Sequence, residues 1–190
     1  MNNRYFLAAC ILIVISTLSG VWLEKYMSLH MLVHIPMLFC IGILLAQSFN
    51  NNTFFLNTRV LLKKLNEQGV PGLLFFSLVG AFWMIPKALD SVLLSNWFLF
   101  AKYISCITAG VLLYFGWLRS HIVVRVFFTG MFCWMLAIAG MLYIDSPSRL
   151  CNFYLLDDQV WAGRGLVILA ILLPSIWFAF EFKARNRISS

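Results

Sequence analysis

Residues 28–37, SLHMLVHIPM, place two histidines four positions apart in a stretch that is otherwise almost wholly apolar. Residues at that spacing share one face of a helix. At about 100° of turn per residue, Met27, His30, His34 and Met37 fall within an arc of about 80°. Imidazole and thioether are borderline to soft ligands, and methionine in particular suits Cu(I). Two histidines at i and i+4 can share one metal ion, as they do in HExxH. HMLVH lacks the glutamate that would act as base, which disfavours a zinc protease. Met84, on a later apolar segment, completes the candidate ligand set of His30, His34, Met27 and Met84. A plainer reading stands beside this one. Histidines near a membrane interface also bond to headgroups, loops or carboxylates, and methionines are common in any apolar bundle. His121 lies at the opposite interface, where a solvated structural role suffices.

The surrounding composition fixes what must position these side chains. The chain has 190 residues, 62% of them hydrophobic and only 11% charged. Its mean hydropathy is +0.89. A soluble domain of this length needs far more polar surface, so the expectation is an all-α integral membrane bundle forming one domain over residues 1–190. About 20 apolar residues cross the hydrocarbon core as a helix. Six segments meet that length, at about 4–24, 28–49, 70–93, 96–118, 121–144 and 160–181. The first is longer than a signal peptide's apolar core and is read as a retained helix. The polar connection 50–69 contains TRVLLKKLNEQ, which suits a short amphipathic helix on the membrane surface. The other connections are short, except 145–159, so consecutive helices are expected to be antiparallel neighbours. The five cysteines are scattered, without a CxxC; four lie in apolar segments as small hydrophobes, and Cys151 falls in a loop.

The net charge of +7 sits in short basic tracts flanking apolar segments. These are topology determinants rather than a nucleic-acid surface. One side collects Arg4, Arg59, Lys63, Lys64, Arg119, Arg125, Lys183, Arg185 and Arg187; the other collects Lys25, Lys87, Lys102, Arg149 and Arg164. The richer side is expected to be cytoplasmic, with both termini inside and the 145–159 connection outside. The remaining ionisable groups then gather at the outer end. Lys102 lies about two turns into the fourth segment. Asp157, Asp158 and Gln159 precede the sixth, and Arg164 lies one turn inside it. An ionisable group within the membrane normally faces the bundle and has a partner. Asp158 suits a cap for the sixth helix, Arg164 suits pairing with Asp90, Asp157 or Asp158, and Lys87 and Asp90 are spaced to bridge locally. Pro36 and Pro86 are expected to kink their helices at similar depth.

Three stretches carry a family resemblance. HMLVH at 30–34, WMIPKALD at 83–90 and LLDDQVWAG at 155–163 occur in one order, each at the outer end of an expected helix. They resemble the HMxxH element, the tryptophan–x–x–proline segment and the DQ element of the CtaG-type cytochrome c oxidase assembly family. The resemblance implies a multi-pass protein of a bacterial-type inner (plasma) membrane that assists assembly of a haem–copper oxidase, handling copper. Carried across, its candidates are His30, His34, Asp90 and Asp158, with Trp83, Pro86 and Gln159 as supports. Asp90 or Asp158 would then fix a histidine tautomer from behind the metal. Two departures are visible. Met84 lies near the place where members often have a further histidine. NWFLFAKYIS lacks the family's pair of histidines, and Lys102 and Tyr103 lie in that region.

The implied function is therefore an accessory factor whose partners are oxidase subunits within the lipid bilayer. The alternatives are a haem- or quinone-associated subunit, a small transporter, and a structural membrane partner. No nucleophile–base pair, phosphate loop or cofactor fingerprint suggests an enzyme.

Overall fold

Seven helices form the described part of the protein, residues 3–50 and 68–189 of a computed structural model. There is no strand among the described residues. They are α1 (Asn3–Leu23), α2 (Met27–Leu29 continuing through His30–His34 and Ile35–Asn50), α3 (Val70–Trp83), α4 (Pro86–Leu94), α5 (Asn96–Arg119), α6 (Ile122–Asp145) and α7 (Leu156–Ser189). The expected surface helix at TRVLLKKLNEQ falls, but for its last residue, outside the described residues.

Five helices are long and apolar enough to cross a membrane: Arg4–Leu23, Met27–Ser48, Asn96–Arg119, Ile122–Asp145 and Leu156–Lys183. The third expected segment is not one straight span. It breaks into α3 and α4, bent by 74°. Pro86 opens α4 and has no N–H to continue the helix behind it, while Ile85 is extended and so interrupts the helical backbone. Counting this bent pair as a span gives six, the arrangement of a multi-pass membrane protein. Large apolar side chains such as Leu18, Val21, Trp97 and Trp134 stand exposed around the bundle, as lipid contact requires and water would penalise.

Pro36 acts differently from Pro86. It follows a π-helical turn spanning His30–His34, closed by the Ile35 N–H to the His30 carbonyl. In a regular helix the proline ring would collide with the carbonyl four residues back, at Leu32. A widened turn relieves that crowding, and such turns often mark functional positions. The two histidines thus sit on a bulged turn rather than on an ideal helix.

Small residues let the main helices touch. A Cβ on Gly42 would overlap the Ile107 carbonyl and press on Gly110, where α2 crosses α5. Gly140 and Gly163 do the same for α6 and α7, each facing the other's carbonyl. Without a hydrophobic drive between helices in lipid, such close approach supplies the packing. Neighbour relations depart from the sequence expectation in one place. α6 packs chiefly on α7, and α5 on α2 and α3, although only Ser120 and His121 separate α5 from α6. The α6–α7 pair meets the rest most closely through the start of α7 against the start of α2. An apolar cavity of about 320 Å³ is lined by α2, α3, α5, α6 and α7, including Met31, Phe39, Leu113, Phe132 and Leu166, with Met84 at the end of α3.

Gly42→Ala is therefore expected to lower stability by about 1–3 kcal/mol through overpacking. Gly130, whose added Cβ would meet open space, is expected to tolerate alanine. Thermal unfolding of the two variants in detergent checks the contrast.

Candidate polar site at one end of the bundle

The site begins with an energetic problem. Lys102 lies on α5 with no exposed surface, and an ammonium buried among helices must find acceptors. It finds three. Its Nζ donates to Glu24 Oε1, and lies 3.2 Å from His30 Nε2 and 3.3 Å from His34 Nδ1. Both histidines are fully buried, and Glu24 is 8% exposed. Glu24 Oε1 also stands 3.5 Å from His34 Nδ1.

The lysine settles the imidazole tautomers, because an ammonium has donors and no lone pair. His30 Nε2 must accept, so His30 Nδ1–H donates to Tyr154 Oη at 2.9 Å. Tyr154 in turn donates to the Glu24 carbonyl at 3.0 Å. His34 Nδ1 must accept, so its Nε2–H points to Ser16 Oγ at 3.0 Å and Tyr103 Oη at 3.2 Å. Tyr103 donates to the Ser16 carbonyl at 3.2 Å. Both rings are neutral in this arrangement, and each donor has an acceptor. Residues from α1, the α1–α2 connection, α2, α5 and the connection before α7 thus join in one network.

Asp158 positions the bulged turn from outside. Its carboxylate accepts from the Met27 and Ser28 N–H groups and from the Ser28 hydroxyl. It was expected to cap its own helix; instead it lies in the first turn of α7 and caps α2. The free N–H groups at the start of α2 need such an acceptor. Asp157 and Gln159 likewise lie inside α7, which starts before the expected boundary. Asp90 Oδ2 accepts from the Asn152 N–H at 2.8 Å, tying α4 to the connection between α6 and α7. Gln159 holds that connection from the other side, accepting from the Leu150 N–H at 2.8 Å and donating to the Tyr143 carbonyl at 3.2 Å. The imidazole partners expected at Asp90 or Asp158 are therefore Tyr154, Ser16 and Tyr103. The local Lys87–Asp90 bridge does not form. Arg164 does not join an ion pair with Asp90, Asp157 or Asp158; its guanidinium lies 5.2 Å from the Trp161 ring centroid.

The remaining sequence candidates divide. Met27 is wholly buried in the core, with its backbone held by Asp158. Met84 lines the apolar cavity with Met31, and neither histidine lines that cavity. The Met84 carbonyl accepts from Tyr143. Trp83 is buried and donates to Ser105 Oγ at 3.0 Å. Cys151 is buried beside Pro86, whose carbonyl accepts from the thiol at 3.5 Å. Burial pushes that thiol up to about 12, and Asp90 adds to the shift. Burial also raises Tyr154 well above an ordinary phenol, so both keep their protons and donate.

Glu24 is the residue that sequence reading missed. It ends the first apolar segment beside Lys25, where an acidic residue reads as an ordinary membrane boundary. The signal was available at Lys102, a cation within an apolar helix that required a counter-charge from the same end. Chemically, Glu24, His30 and His34 offer one ligand atom each, all within 4.8 Å of one another. That donor set fits a small cation, and the Lys102 ammonium stands among the same atoms. No protein-family model, curated protein or solved structure matches this chain.

Removing one member of a buried ion pair strands its partner, at a cost of about 3–5 kcal/mol, whereas replacing both with neutral groups is often nearly free. Glu24→Gln is accordingly expected to lower the unfolding temperature sharply in detergent. The double substitution Glu24→Gln with Lys102→Met is expected to recover most of the loss.

Proposed function

We propose that this chain is an accessory protein for assembly of a haem–copper respiratory oxidase, and that it takes up Cu(I) as cargo at the polar end of its bundle. His30 and His34 hold the ion, with Glu24 as the anionic third ligand in place of Met27 and Met84, which their positions along the sequence suggested. The observation that carries this reading is the convergence of these three ligand atoms within 4.8 Å. The HMLVH, WMIPKALD and LLDDQ resemblance to the CtaG-type family supports it and supplies the client. The basic residues favour both termini in the cytoplasm of a bacterial-type plasma membrane, with the site at the outer end of the bundle. Imidazole suits copper, and a site for delivery must release as well as bind. Tyr154 on one ring and Ser16 with Tyr103 on the other hold the tautomers that present a lone pair to the centre.

The test is a Cu(I) titration of detergent-purified protein under reducing conditions, against a chromophoric chelator. Wild type is expected to take one copper per chain, and folded His30→Ala/His34→Ala to take none. Equal stoichiometry in the two proteins overturns the reading. The pH sign follows from the neutral rings. Acid protonates an imidazole, adds an N–H where the lone pair was, and places a second cation beside Lys102. Binding is thus expected to fall as pH is lowered and to recover as it is raised.

A separate observation favours a second reading, a quinone-associated subunit. The apolar cavity of about 320 Å³ suits an isoprenoid chain, and no imidazole lines it to ligate haem. Organic extraction of the purified protein is expected to release quinone under this reading, with no Soret band. Lipid-free, quinone-free protein that retains its fold removes it.

A further inference from the structure

We propose that Lys102 is a tethered cation that occupies the metal seat and must be displaced before a soft monovalent cation can enter. The inference rests on the Cu(I) reading of His30, His34 and Glu24, and concerns what controls access to them. Its basis is a coincidence of positions. The three residues that could ligate a metal are also the three whose side chains meet the Lys102 ammonium, at Glu24 Oε1, His30 Nε2 and His34 Nδ1. An ammonium donating to three lone pairs and a metal accepting from them use the same directions in space. Metal–nitrogen bonds are about 2 Å long, so a cation bound by both rings would stand where the lysine protons now point. Coulomb repulsion and overlap together make the two occupants mutually exclusive.

The exchange conserves charge. Glu24 carries one negative charge, the imidazoles are neutral, and Lys102 brings one positive charge. A monovalent ion replaces it without leaving a net charge among the helices, which low dielectric would penalise. The lysine also has somewhere to go. Position 102 is six residues from the start of α5 at Asn96, about 9 Å along the helix axis. A long aliphatic stem can carry its head toward that end while the stem stays against apolar neighbours. The rings also have partners besides the lysine, since Tyr154, Ser16 and Tyr103 bond the far ring nitrogens. These bonds still hold the two rings when the lysine head leaves. Lys102 is a positioning and selectivity residue, making the site weak enough to give up its ion.

The experiment compares Cu(I) affinity, by chelator competition, in wild type, Lys102→Met, Lys102→Gln and Lys102→Arg, each checked for folding by size-exclusion elution and thermal unfolding. Lys102→Gln removes the charge but keeps a neutral donor for Glu24, in case Lys102→Met alone does not fold. Removing the cation is expected to tighten binding by at least about tenfold, below an upper bound of roughly a thousandfold for two unit charges some 4 Å apart. Lys102→Arg keeps a cation and is expected to bind no tighter than wild type. Ag(I), a redox-inert soft monovalent ion, is expected to follow the same order. If wild type binds through the histidine pair and a folded lysine-free variant binds no tighter, the displaced-cation proposal is overturned and the copper reading stands. If neither wild type nor any folded lysine-free variant binds, both are overturned.

Discussion

A lysine ammonium without access to water is the constraint around which one end of this bundle is built. Its three donors call for three acceptors, and helix geometry cannot supply them from one element. Glu24 comes from the connection just after α1, the histidines from the bulged turn of α2, and Lys102 itself from α5. Satisfying the ammonium thus requires these three elements to meet at a fixed depth. The far sides of the imidazoles extend the requirement to Ser16, Tyr103 and Tyr154. A buried polar network is tolerable only when its members are satisfied together, so this end of the fold has little freedom.

The irregular backbone around the network serves the same requirement. A π-helical turn at His30–His34 precedes Pro36, and Asp158 captures the N–H groups that open α2. The bent junction before Pro86 lets α4 turn aside, and Asp90, Cys151 and Gln159 fasten the connection between α6 and α7 over it. Tyr154, carried by that connection, reaches His30. Departures from regular helix are costly in lipid because freed backbone groups have no water. Here they occur where side chains and neighbouring segments can supply partners.

The packing between the long helices follows simpler rules. Glycine contacts bring α2 to α5 and α6 to α7, and apolar side chains cover the outside. The α6–α7 pair stands partly away from α2 and α3, which leaves the apolar cavity. The molecule thus has a polar end held by directed bonds and an apolar body held by shape, and the bulged turn of α2 borders both, with Met31 and Leu32 on the cavity and His30 and His34 in the polar network.

The sequence by itself determined the helical class, the number of apolar segments and most helix limits to within a few residues, because burial in lipid is written in runs of about 20 apolar residues. It also singled out His30 and His34, since their spacing places them on one face whatever the neighbours are. It named Lys102 as a group in need of a partner and Asp158 as a cap. Only the tertiary structure decided that the partner is Glu24, that Asp158 caps α2 rather than α7, and that tyrosine and serine rather than aspartate hold the imidazoles. It also separated Met84 from the histidines and broke the third segment at Pro86. The reason is physical. Periodicity and hydropathy are sums over one chain segment, whereas a hydrogen bond between Glu24 and Lys102 depends on the packing of helices 78 positions apart, which no local pattern encodes.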